Sequence, residues 1–265
     1  MEERLLITGN ALRRISRTLG MPAGMAEKDY VISWLLKEIY EDTPLKDALI
    51  FKGGTALRKV YFPETWRLSH DLDFTVLGGL TPNEINSGLR GAFQALDLKC
   101  GLAFSLDSFY VTEGSIIVRI QYIGPLLYKN QIKADITFDE KLIFDPEWKV
   151  ITTLYPDLPD FRVKVYTLKE ILLEKIRSII QRGKSRDYYD VWRLLTENNF
   201  VMENIRKLLI RKCETNNIEY NPDLIFDDER LKSVKEYWYK SLTDLTKELP
   251  EFDQMVLELK KKLVL

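Results

Sequence analysis

The chain has 265 residues, 45% hydrophobic and 30% charged, a composition that excludes collagen-like repeats, disordered tails and low-complexity arrays. Its 39 basic and 40 acidic residues leave a net charge of −1, so any polyanion would be held by a local patch and not by the overall balance. Cys100 and Cys213 are too few for a disulfide framework or a zinc knuckle and fit a reducing compartment, while a single histidine, His70, excludes any site that needs two. The start Met1-Glu2-Glu3-Arg4 is charged and no apolar run of roughly 7–15 residues follows, so the expectation is a cytoplasmic protein without a signal peptide or membrane span.

Helical spacing of Leu5, Leu6, Leu12, Ile15 and Leu19 predicts a first helix over 4–19, closed by Gly20-Met21-Pro22-Ala23-Gly24. Tyr30, Val31, Trp34, Leu35 and Ile39 predict an amphipathic helix over Ala26–Tyr40. Ala48–Phe51 reads as a short strand entering Gly53-Gly54, Thr55–Tyr61 as a short helix stopped by Pro63, and Leu72–Leu77 as a strand. Asn83–Leu96 reads as a helix capped by Thr81-Pro82, followed by strands over Leu102–Ser105, Ser115–Tyr122 and Gln131–Phe138. The acidic, proline-containing stretch 139–160 reads as a loop or boundary. A helix over Tyr166–Gln181 is expected to open with a capping box of Thr167 and Glu170. Arg186–Asn198 follows as another helix, and 199–265 reads as all-helical. The order predicts an α+β fold, a central mixed sheet followed by a helical C-terminal region.

Three segments carry chemistry. Phe51-Lys52-Gly53-Gly54-Thr55 is a strand-to-helix turn whose glycines let backbone N–H groups approach a phosphate, although a tight turn alone would look the same. Asp71 and Asp73 are two apart on a strand, so their carboxylates share one face and repel unless a cation bridges them. Asp135 interrupts a later strand, with Lys133 on its face. If that strand neighbours Leu72–Leu77, Asp135 completes a three-carboxylate cluster of the kind that holds two metals for in-line phosphoryl transfer.

Together these segments, over roughly 48–138, resemble the nucleotidyltransferase superfamily that includes DNA polymerase beta. A closer resemblance runs from about residue 25 to 195. Glu27-Lys28-Asp29-Tyr30, Lys52-Gly53-Gly54-Thr55-Ala56-Leu57, Arg67-x-Ser69-x-Asp71-Leu72-Asp73-Phe74, Glu174-Lys175 and Arg182-x-x-x-Arg186-Asp187-x-x-Asp190 are similar to the AbiEii nucleotidyltransferase toxin family. The resemblance implies a core over 1–160 with N-terminal helices and a helical domain over 161–265 that completes the active site. It implies that Lys52, Gly53, Gly54 and Thr55 cradle a nucleoside triphosphate, and that Arg67 and Ser69 face the phosphates, with Lys133 and Arg186 as further nucleotide-binding residues. Asp71, Asp73 and Asp135 would hold Mg²⁺, or Mn²⁺ in its place. Lys175 would act in catalysis or on the triphosphate, and the later family aspartate is Asp187 or Asp190. An RNA acceptor, the tRNA 3′ end, and a separately encoded antitoxin complete the implied partners.

Residues 164–193 hold eight basic side chains against four acids, and Lys175 and Arg182 lie two turns apart on one helical face. Gln181-Arg182-Gly183-Lys184-Ser185-Arg186 is a basic turn suited to triphosphate or RNA backbone; the alternative is a solvated helix face, with Asp190 in an i,i+4 pair with Arg186. His70, both cysteines and the tryptophans Trp34, Trp66, Trp192 and Trp238 read as incidental or as packing. The competing functions are a kinase-like transfer of a γ-phosphate to a partner protein and a nucleotide-binding module without turnover.

Overall fold

A computed structural model describes residues 7–63, 65–138, 140–197, 204–263 and 265. Seven strands form one mixed sheet in the order β3-β4-β5-β2-β1-β7-β6. They are β1 Leu49–Lys52, β2 Leu72–Val76, β3 Ala103–Val111, β4 Ser115–Ile123, β5 Lys129–Thr137, β6 Glu147–Ile151 and β7 Phe161–Val165. β2 runs parallel to β5 and antiparallel to β1, so the three central strands come from distant parts of the chain. Alternation settles which face is core. Ile116, Val118, Ile120 and Tyr122 of β4 and Ile132, Ala134 and Ile136 of β5 are buried, and Arg119, Lys133 and Asp135 point to the other side. A one-residue slip would turn all of these over, so burial of this face fixes the register that sets the acids.

The helices of this unit are α1 Gly9–Leu19, α2 Ala23–Asp42, a short α3 Gly53–Ala56 and α4 Pro82–Cys100. The first two of the predicted helix's apolar positions, Leu5 and Leu6, lie outside the described residues. α2 is buried round most of its circumference, from Ala26 and Tyr30 to Ile39 and Tyr40, so it is a core helix and not the amphipathic surface helix of the periodicity. α4 starts where the sequence indicates: Thr81 and Glu84 form a capping box, Pro82 takes the first turn, and Gly101 closes the helix at φ 72°.

The stretch expected to be a loop holds β6 and leads into β7. Prolines surround β6, and its exposed Trp148 and Val150 alternate with charge, which hides an edge strand from a search for buried runs.

The chain divides into two units. One comprises Met1–Pro63, His70–Asp139 and Pro146–Val165; the other comprises Glu64–Ser69, Glu140–Asp145 and Tyr166–Leu265. The division falls after β7, and two short central segments belong to the helical unit. That unit contains α5 Leu168–Arg182, α6 Ser185–Glu197, α7 Ile205–Glu214, a 3₁₀ turn Pro222–Ile225, α8 Asp228–Leu242 and α9 Phe252–Lys262. Trp192, Trp238 and Cys213 are packing residues there, as are Trp34, Trp66 and Cys100 in their own segments. The expected capping box of α5 is half formed. Thr167 accepts the Glu170 N–H at 3.2 Å, but the Glu170 carboxylate is fully buried and serves elsewhere. It accepts the Ile143 and Phe144 N–H groups, each at 2.9 Å, and the Lys212 ammonium at 2.8 Å. Among the described residues no helix is long and apolar enough to cross a membrane.

Candidate active site

The chemistry-bearing side chains fall into two groups, one in each unit. In the sheet unit, Lys52, Asp73 and Asp135 stand side by side on β1, β2 and β5, because Lys52 is the register partner of Asp73 and Asp73 that of Asp135. The strand neighbourhood on which the third acid depends is therefore present. Lys133, two residues from Asp135 on the same face, donates to Asp135 Oδ2 at 2.6 Å. Both side chains are more than a third exposed, so this pair contributes little stability, roughly 0–1 kcal/mol. Asp135 Oδ1 is buried and has no hydrogen-bond partner among the described residues. Lys52 is buried and donates to Thr137 Oγ1 at 3.0 Å. Asp71, just before β2, is exposed.

The Gly-Gly turn is shaped around these acids. Gly53 has φ 76°, and a Cβ there would overlap Asp73 Oδ2 and lie 2.9 Å from its Cγ. Left-handed backbone and close approach both demand glycine. Gly53→Ala is expected to destabilise the fold by about 1–2 kcal/mol from backbone strain alone and to displace the Asp73 carboxylate. A thermal melt beside a transfer assay checks this; a variant with wild-type melting and activity would contradict it. Thr55 departs from the expectation of a phosphate contact: it is fully buried, and its hydroxyl donates to the Asp71 carbonyl oxygen at 2.5 Å. It fixes the backbone that carries the acids. The helix expected over Thr55–Tyr61 begins at Gly53 and widens into a π-helical turn over Leu57–Tyr61.

Behind the acids, the Glu27–Tyr30 motif resolves mostly into scaffold. The Asp29 carboxylate receives the Lys59 ammonium at 2.9 Å and the Tyr155 hydroxyl at 2.9 Å. Burial would raise the Asp29 pKa, but Lys59 and Arg58 outweigh it and keep the acid ionised. Glu27 accepts the Leu126 N–H at 2.6 Å, and Tyr30 donates to Asp157 at 2.5 Å. Lys28 differs. It is half-buried, burial lowers its pKa below the ordinary lysine value, and the Asp71 charge opposes that lowering. Burial also pushes His70 down to about 4, and its Nε2 is sealed from solvent without a partner among the described residues. His70 is thus neutral at pH 7.

Among the described residues no group of three His, Cys, Asp or Glu side chains is arranged to hold a metal ion. Lys133 occupies one Asp135 oxygen and leaves the other without a partner among the described residues. The donors nevertheless fit a hard divalent cation. They are carboxylate oxygens, one of them buried without a partner, and the glycine leaves Asp73 room. Mg²⁺ needs only one or two carboxylates when phosphate oxygens and water fill the rest.

In the helical unit, Asp190 is completely buried and binds Arg67 in a fork, Nε to Oδ1 at 2.7 Å and Nη2 to Oδ2 at 2.8 Å. Lys175 adds its ammonium to Asp190 Oδ2 at 2.9 Å and to Asp187 Oδ1 at 3.1 Å. Arg182 closes on Asp187 Oδ2 at 2.9 Å. Burial would lower the Lys175 pKa, yet Asp190 and Asp187 outweigh it and hold the ammonium charged, above its ordinary value. The same pairs keep both aspartates below the usual carboxylate range although burial opposes this.

Arg67, 4% exposed at its side chain, is held in the fork with Asp190. Asp190 takes Arg67 and Lys175 as partners, not the i,i+4 Arg186, which is exposed. Lys175 is the common partner of Asp187 and Asp190, so neither acid stands apart from it. Ser69 is half-buried in the same segment as Arg67.

The fold that carries this site has counterparts among solved structures. The chain is similar to MenT4, a nucleotidyltransferase toxin of Mycobacterium tuberculosis H37Rv, at 19% identity and a TM-score of 0.69, over 97% of this chain and 88% of that one. It is also similar to a putative nucleotidyltransferase from H. pylori, at 17% identity and a TM-score of 0.52, over 91% and 94%. The fold is thus that of a nucleotidyltransferase. Within that class the chain belongs to the nucleotidyl transferase AbiEii toxin family of Type IV toxin–antitoxin systems, whose sequence profile matches residues 34–258. The match includes the Gly-Gly turn, the acids and Lys175, but starts after Glu27–Tyr30. No curated protein matches the chain.

Proposed function

We propose that the chain transfers a nucleoside monophosphate from a nucleoside triphosphate to an RNA acceptor, the tRNA 3′ end, and that this transfer makes it toxic until a separately encoded antitoxin counters it. Membership of the family implies a transferase with a nucleotide substrate and an antitoxin partner. The metal, the acceptor and the residue roles are the further step. The observation that carries the reading is the row of Asp73 and Asp135 in register on adjacent strands, with Gly53 moulded to Asp73.

In this reading Asp71, Asp73 and Asp135 hold Mg²⁺, or Mn²⁺ in its place, which when bound neutralises charge on phosphate oxygens. The acceptor hydroxyl oxygen forms a bond to the α-phosphorus, the bond from that phosphorus to the β-bridging oxygen breaks, and pyrophosphate leaves. The hydroxyl proton passes to water as that bond forms, and Asp135 Oδ1, buried and without a partner among the described residues, is kept for the cation. Lys52 and Lys133 flank the acids and offset their mutual repulsion, and Gly53, having no side chain, leaves the Asp73 carboxylate its place against the turn. The ammonium of Lys175, kept charged by Asp187 and Asp190, opposes negative charge that grows on the phosphates during transfer.

The test follows the label. Purified protein is incubated with total RNA, lysate protein and each triphosphate, labelled at either the α or the γ position. The expected result is α-label in RNA of tRNA size, lost when divalent metal is chelated. Label passing from the γ position into protein would replace this reading with a kinase-like one.

A further inference from the structure

The helical unit contains a cavity of about 500 Å³ that meets the Lys175 cluster at Arg182 and is lined by the α5–α6 turn and one face of α8. Its walls carry Arg182, Lys184 and Arg186 from the turn, with Ser233, Tyr237 and Ser241 from the helix. The α8 residues are spaced by four, so they form one stripe along its axis. Three cations and no acid line it. Arg182 keeps half of its side chain exposed beyond its pair with Asp187. Lys184 and Arg186 are exposed and make no side-chain hydrogen bond or ion pair among the described residues. Tyr237 is 52% exposed and lies off the core face that Val234, Trp238 and Leu242 bury.

The turn is fastened to α8, so the groove has a fixed shape. Arg230 donates to the carbonyl oxygens of Ile179 and Ile180, the latter at 2.8 Å, at the end of α5. Gly183 sits at φ 56° with no space for a side chain, since a Cβ would lie 2.8 Å from Arg230 Cδ. Ser185 donates to the Val234 carbonyl oxygen at 3.2 Å.

We propose that this groove binds a single strand of the RNA acceptor, with phosphates against Arg182, Lys184 and Arg186 and a base stacked on Tyr237; the proposal rests on the transfer reading above only for the identity of that RNA as the acceptor. Cations alone would suit any polyanion. An exposed aromatic flanked by hydroxyls, beside three cations, is the combination that grips single-stranded nucleic acid, because every base offers a face for stacking. An acidic peptide would use the charges and leave Tyr237 idle. The volume suits one nucleotide unit, so a longer strand must run on past the groove.

The test is binding of a fluorescent 12-nucleotide single-stranded RNA, without triphosphate and with divalent metal chelated, across a salt series. Three phosphate contacts at about 0.7 each predict that log affinity falls with log salt at a slope near −2. Lys184→Glu is expected to weaken binding at least about 10-fold and to flatten the slope by about 0.7 or more. Tyr237→Ala is expected to weaken it roughly 5- to 100-fold at unchanged slope, the mark of lost stacking. Both side chains are exposed, so melting should not move. Wild-type affinity in both variants would overturn the proposal, as would displacement of the RNA by polyglutamate at equal charge. A transfer assay run in parallel separates the two ideas. Normal RNA labelling by both variants overturns the groove and leaves the transfer reading standing. If the wild-type protein labels no RNA yet binds it through Lys184 and Tyr237, the transfer reading fails and the groove is supported.

Discussion

Asp73→Asn is expected to reduce nucleotide transfer by on the order of 10²–10³-fold, the size typical of removing one preorganised electrostatic group at a transferring centre. The change is nearly isosteric, keeps the β2 register with β1 and β5, and removes a negative charge beside Asp135. Stability should therefore change by no more than about 1 kcal/mol. Asp135→Asn should behave in the same way, because its Oδ1 is buried without a partner among the described residues and Lys133 can remain on the other oxygen. Transfer rates at saturating triphosphate, measured beside thermal melts, check both. Full turnover in both variants would remove the acids from the reaction.

Lys175→Ala should show a different signature, with stability and activity lost together. The ammonium lies between Asp187 and Asp190, whose side chains are 2% and 0% exposed. Removing one partner of a buried pair costs about 3–5 kcal/mol when the remaining charge has nowhere to go. Asp190 retains Arg67 and Asp187 retains Arg182, so the lower end, about 3 kcal/mol, is expected. The pH dependence has a definite sign. Both aspartates are held below their ordinary value, so the pairs contribute stability above the unfolded-state pKa of about 3.9 and lose it as pH falls through the folded-state values. With Lys175 gone the depression shrinks, and acid unfolding should begin at higher pH than in the wild type. Transfer should fall by roughly 10²-fold or more even well below the melting temperature if the charge acts on the triphosphate. A variant that melts early but transfers normally at low temperature would confine Lys175 to structure.

The contrast between these two groups also marks what the sequence could convey. Asp73 and Asp135 are legible because each interrupts an apolar strand pattern, and the pairing of β2 with β5 is the further condition that sets them side by side, whereas Asp71 lies just before β2. The glycine turn is legible as a turn, but its purpose, space for Asp73, depends on how close two strands come. Arg67 and Asp190 are 123 positions apart, and no periodicity links them. The local rule offered Arg186 at i,i+4, and a buried fork from a distant segment took the acid instead. Glu170 misled for the same reason: the capping-box spacing is right, yet Lys212, Ile143 and Phe144 reach the carboxylate first. β6 was hidden because an exposed edge strand lacks the buried alternation that identifies β4 and β5. Local chemistry is thus readable where secondary structure alone aligns it, and unreadable where tertiary packing assigns partners.

The most direct measurement of the central claim is sequencing of tRNA 3′ ends after incubation with the purified protein, the four triphosphates and Mg²⁺. Transfer of a nucleoside monophosphate predicts ends extended by one or more nucleotides with the wild-type protein, and unchanged ends with Asp73→Asn or with metal chelated. Unchanged ends with the wild-type protein, alongside γ-phosphate recovered on a protein, would contradict it.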